Sequence, residues 1–160
     1  MIIVGMIGGL VWGLALLRYG AGLSFKSRFE LPVAMAIGFT PAGLVMVAMV
    51  GRLAQRRFFD DGIIDGQPFA PNSGADIDQR VLANTVEQIV LALCIWPIGA
   101  VFLGNGILIA LGFGFAAARI LFWIGYHLSP PLRGFGFAAS FYPTVLTALW
   151  VLWVVAEIGG

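Results

Sequence analysis

Arg80, Asn84 and Glu87 stand at i, i+4 and i+7 in Arg80-Val-Leu-Ala-Asn84-Thr-Val-Glu87-Gln88, a stretch that opens an apolar run ending near Val101. On a helix these three share one face over two turns. A carboxylate and an amide on a membrane helix are costly to leave in lipid, so they turn toward a partner or a watery cavity. A second set follows, with Arg119, Tyr126 and Arg133 recurring every seven residues. Seven residues are ~10 Å of helical rise, and consecutive spans run in opposite directions. With Arg80 level with Tyr126, Glu87 and Arg119 fall at one depth. The spacing predicts that they pair, because either alone in hydrocarbon is expensive. Arg80, Arg119 and Arg133 outnumber Glu87, which leaves positive charge beside Asn84 and Tyr126. Such a set suits the holding of an anionic ligand; the alternative is a polar lock between helices.

The elements that must position these residues are membrane helices. Of 160 residues 60% are hydrophobic and 11% charged, with a mean hydropathy of +0.96. A soluble domain is nearer half apolar and a quarter charged. The net charge of +1 comes without a basic run or arm, so no nucleic-acid partner is expected. Cys94 is the one cysteine and His127 the one histidine. A disulfide within the chain is impossible, and a Cys- or His-based metal cluster is not expected. His127 and Ser140 have no acid placed to complete a triad, and His127 is expected simply at the membrane surface.

Five apolar spans can be read along the chain. Residues 1–18 form an extra N-terminal transmembrane segment rich in glycine, which suits close helix packing. It lacks the basic start and the cleavage site of a signal peptide. Arg18 to Glu30 reads as a connecting loop. Leu31 to about Gly51 is the second span, with Pro32 in its first turn and Pro41 expected to kink it. The polar segment 58–78 holds Asp60, Asp61, Asp65, Asp76 and Asp78 among turn-forming glycines and prolines. Its order does not reproduce a calcium loop, so a solvated loop without metal is expected. Ser73 or Asp76 is placed to cap the third span, about Ile77 to Val101. The fourth runs from about Ile107 to Tyr126. Pro130-Pro131 separates it from the fifth, about Gly134 to Val155. Arg52, Arg56, Arg57, Arg80 and Arg133 collect on one side, against Arg18, Lys26 and Arg28 on the other. That bias assigns the first side to the cytoplasm.

Arg80-x-x-x-Asn84-x-x-Glu87 at the start of a membrane helix resembles a signature of the MAPEG superfamily, the membrane-associated proteins of eicosanoid and glutathione metabolism. The spacing Arg119-x6-Tyr126-x6-Arg133 is similar to that of its leukotriene C synthase and microsomal glutathione transferase branch. The strings Asn84-Thr-Val-Glu-Gln, Leu121-Phe-Trp-Ile-Gly-Tyr126 and Arg133-Gly-Phe-Gly-Phe-Ala-Ala-Ser-Phe-Tyr-Pro143 look like bacterial members. The resemblance implies an all-α integral membrane protein: a four-helix bundle over 31–158, joined to the extra segment. It implies a homotrimer in a bacterial inner membrane, with glutathione held between neighbouring protomers near the cytoplasmic face as co-substrate.

By the same resemblance Arg80, Asn84, Glu87, Arg119 and Tyr126 hold glutathione, and Arg133 stabilises its thiolate. A thiol of pKa ~8.5 is mostly protonated at neutral pH, and a guanidinium beside it favours the nucleophilic thiolate. Leu82, Gln88, Phe122 and Phe137 replace polar or tyrosine residues of other branches, so the implied cradle is less polar. Two functions fit. One is a glutathione-dependent transferase or peroxidase acting on lipophilic small molecules that arrive from the membrane lipids. The other is a non-catalytic family member that binds lipid or scaffolds a partner.

Overall fold

The computed structural model describes residues 2–24 and 29–160, and its regular structure is entirely helical. The helices are α1 (Ile2–Ser24), α2 (Leu31–Phe58), α3 (Gly74–Leu103), α4 (Gly106–Leu128) and α5 (Pro130–Gly159). All five are long and apolar enough to cross a membrane. Val47, Phe113 and Leu152 are among the many large apolar side chains that remain exposed on the outside of the bundle. In water that surface would be a liability; in a bilayer it is the solvent-matched face.

Each of the other four helices packs on α4, which is why it is the most deeply buried span. Small residues make this possible. A Cβ on Gly112 would collide with the Gly38 carbonyl, so α2 and α4 approach backbone to backbone. Ile107, Leu108, Leu111 and Phe115 of α4 pack with Trp96 of α3 and Ala34 and Ala42 of α2. The Trp96 indole donates to Thr144 Oγ1 of α5 at 3.0 Å, so its one polar atom is satisfied inside the core.

α1 continues beyond Arg18 to Ser24, where a loop was expected. Tyr19 to Leu23 are apolar or small and have a surface to pack on: a Cβ on Gly20 would lie 2.9 Å from Ile107 Cα. Lys26 and Arg28 lie outside the described residues. α1 runs parallel to α5. Gly5 lies against Phe135, Gly9 against Ala138 and Gly13 against Pro143, so the two helices advance together.

The polar segment is shorter than expected, because α2 runs through Phe58 and α3 starts at Gly74. Ser73 caps α3, accepting from the Asp76 backbone N–H at 3.2 Å. Arg57 pins the loop by donating to the carbonyls of Ile63 and Gln67, and its guanidinium lies 4.2 Å from the Phe69 ring centre.

Candidate functional site

Arg119 is completely buried. It sits on the α4 face that meets α3, and its Nη1 donates to Asn84 Oδ1 at 2.9 Å. Its guanidinium carbon lies 3.9 Å from the Phe122 ring centre and 5.9 Å from that of Phe115. Those ring faces offset part of the cost of a charge taken out of water. Nε and Nη2 find no hydrogen-bond acceptor among the described residues. A guanidinium carries five donors in a rigid fork, so this one is under-satisfied by the chain.

Glu87 does not pair directly with Arg119, contrary to the spacing argument. Asn84 stands between them: its Nδ2 donates to Glu87 Oε2 at 3.3 Å while its Oδ1 accepts from Arg119. Asn84 lies a turn nearer the start of α3 and is only partly exposed, whereas Glu87 is turned outward. In place of the expected ion pair, the three side chains form a relay Glu87–Asn84–Arg119. Arg80 points along a different line. It donates to Asp76 at 2.7 Å and to Asn72 at 3.2 Å, forming an exposed network at the start of α3.

The junction of α4 and α5 positions the next pair. One residue, Ser129, separates the helices; its N–H bonds to Gly125 O, and the Arg133 N–H bonds back to Ser129 O. Gly125 is required there: a Cβ would lie 2.7 Å from Arg133 Cα. This close approach folds the first turn of α5 over the last turn of α4. It sets the Arg133 guanidinium 4.9 Å from the ring centre of Tyr126.

Asn84, Tyr126 and Arg133 line one cavity of about 430 Å³, together with Phe122, Phe137 and Tyr142. Arg119 lies behind its wall, bonded to Asn84 and stacked on Phe122. Phe122, Tyr126, Phe137 and Phe141 form a chain of ring contacts that makes the α5 side apolar. The cavity thus combines exposed positive charge at Arg133, an amide at Asn84, phenols at Tyr126 and Tyr142, and an apolar side. Such a surface can take a small anion with a lipophilic neighbour. Met6 of α1 completes the lining. Neither Met6 nor Tyr142 was singled out from sequence; Tyr142 falls on the Phe137–Phe141 side of α5, a weak signal, and Met6 has none.

A second polar cluster was also missed. Asp78, expected in a solvated loop, is buried in the first turns of α3. Its Oδ2 accepts from Arg56 Nε at 2.6 Å, and its Oδ1 accepts from Trp123 Nε1 at 2.7 Å. His127 Nε2 lies 2.7 Å from the same Oδ1, so His127 has the acid partner that sequence spacing did not supply. The signal was present: Asp78, Val81, Thr85, Gln88, Ala92 and Trp96 are spaced by three and four and all are buried. Asp78 belongs to that core stripe.

No curated protein and no solved structure matches the chain. A family comparison does. Residues 31–153 match the MAPEG family, taking in α2, α3, α4 and most of α5 and leaving α1 outside. That stretch contains both sets of spaced polar residues and four of the five helices long and apolar enough to cross a membrane, and on it the chain belongs to the MAPEG family.

Proposed function

We propose that this protein is a glutathione-dependent transferase or peroxidase acting on lipophilic electrophiles in the membrane, with Arg133 stabilising the glutathione thiolate. The observation that carries the reading is the buried Arg119, with two nitrogens left over, behind a cavity walled by Asn84, Tyr126 and Arg133. A chain that only locked its helices together would not need to strand donors at that depth. An anion with several carboxylates and amide groups fits the excess of cations and the amide on α3. Family membership supports the same choice of co-substrate.

In this reading Arg133 holds sulfur as thiolate, since arginine stays charged and offers fixed donors. Tyr126 lies beneath that guanidinium and orients it. Asn84 and Arg119 hold the tripeptide, with Glu87 acting through Asn84. Arg80 contributes from the surface at the start of α3. The apolar side formed by Phe122 and Phe137 receives the electrophile. The new bond forms between sulfur and the electrophilic atom as its leaving group departs. A homotrimer with its sites on the cytoplasmic side of a bacterial inner membrane accords with the family and with the arginine bias.

The test is the ultraviolet absorbance of thiolate when glutathione is added to purified protein. Wild type should show it and Arg133→Ala should lose it. No binding and no thiolate in wild type would overturn the enzyme reading. Occupation of the same cavity by a lipid would then favour a non-catalytic module, a reading to which its apolar side already lends support.

A further inference from the structure

The helix outside the family match is built into the site. α1 is held on α5 by close backbone contact: a Cβ on Gly5 would lie 2.9 Å from Phe135 N, and one on Gly9 would lie 2.8 Å from Ala138 C and Ala139 N. Contacts this tight fix both the separation of the helices and the rotation of α1 about its axis. Between the two glycines, that rotation directs Met6 into the cavity shared by Arg133, Tyr126 and Phe137. Met6 is half-exposed there, so its flexible thioether meets whatever occupies the apolar side rather than filling a sealed core. A four-helix bundle over 31–153 alone would lack this side chain from the cavity's lining.

We infer that α1 is a fixed wall of the substrate site and that Met6 sets the length and bulk of the lipophilic electrophile that reaches Arg133. The inference rests on the glutathione-dependent reading above. It assigns specificity to one side chain of the cavity lining, carried on a different helix from the relay through Asn84 to Arg119. Met6 is a positioning contact for the electrophile and takes no part in forming thiolate.

The experiment uses the full chain in detergent micelles or vesicles, as wild type, Met6→Trp and Met6→Ala. Each is assayed with a short aryl halide and with a series of electrophiles bearing alkyl chains of increasing length. Thiolate absorbance on adding glutathione is recorded for every variant. Met6→Trp should lower kcat/KM for the longest member relative to the shortest by about tenfold, the scale at which a pocket reads a few methylenes. Met6→Ala should shift the ratio the other way, with thiolate still formed in both variants. Normal thiolate with an unchanged ratio in both variants overturns the inference and leaves the function standing. Loss of thiolate in both Met6 variants but not in wild type also overturns it, because Met6 would then serve glutathione rather than the electrophile. Absence of thiolate in wild type overturns function and inference together.

Discussion

Asp78 and Arg119 are both charged, both buried and both set where α3 meets α4, yet their surroundings differ in kind. Asp78 is saturated: α2 sends Arg56, and α4 sends Trp123 and His127, to a single carboxylate. Among the described residues Arg119 has one hydrogen bond, two ring faces and two unpartnered nitrogens. A charge that only ties helices together is best served by partners from its own chain, since each one left out costs stability. A charge kept for a ligand must hold donors in reserve. On the proposed function the first region is a lock and the second a site, and the two differ in the count of satisfied atoms rather than in depth.

The contrast can be broken by substitution, with thermal unfolding in detergent as the measure. The largest effect belongs to Asp78→Ala, which strands Arg56, Trp123 and His127 at once and should cost on the order of 3 kcal/mol. Asn84→Ala removes the only hydrogen bond that Arg119 makes among the described residues and should cost about 2 kcal/mol. Trp123→Phe takes one donor from a carboxylate that keeps two others, a loss of about 1 kcal/mol. Arg119→Met should change stability by less than about 1 kcal/mol in either direction, because an under-satisfied buried ion gives way to a side chain of similar volume. The same variant should lose the glutathione-dependent thiolate signal. If Arg119→Met proves as damaging as Asp78→Ala, both charges are locks and the distinction fails.

Much of the fold was open to reading from hydropathy alone, because a membrane span announces itself by ~20 apolar residues. The Ser73 cap was equally local and equally legible. The pairing expected of Glu87 and Arg119 did not form, because rise along a helix says nothing of which of two neighbouring turns a long side chain will reach. Asn84 was nearer. Asp78 was misread because it keeps company with four other aspartates in a turn-rich segment. Composition outweighed a core spacing that begins at its own position. The packing of α1 on α5 joins residues more than a hundred positions apart in the chain, and no local pattern encodes such a partner. Met6 therefore entered the site only through the tertiary structure.

The parallel pairing of α1 with α5 has a consequence for biogenesis. α1 leaves the ribosome well before α5, on which it docks, with Gly5, Gly9 and Gly13 shaped for Phe135, Ala138 and Pro143. Until α5 is inserted, that glycine face has only lipid or another nascent helix to touch. Closure of the bundle is then a late, long-range event, the kind that favours waiting intermediates over immediate docking. The flank of the cavity that Met6 supplies is completed only after α5 has been made, so no finished site exists before that helix is inserted.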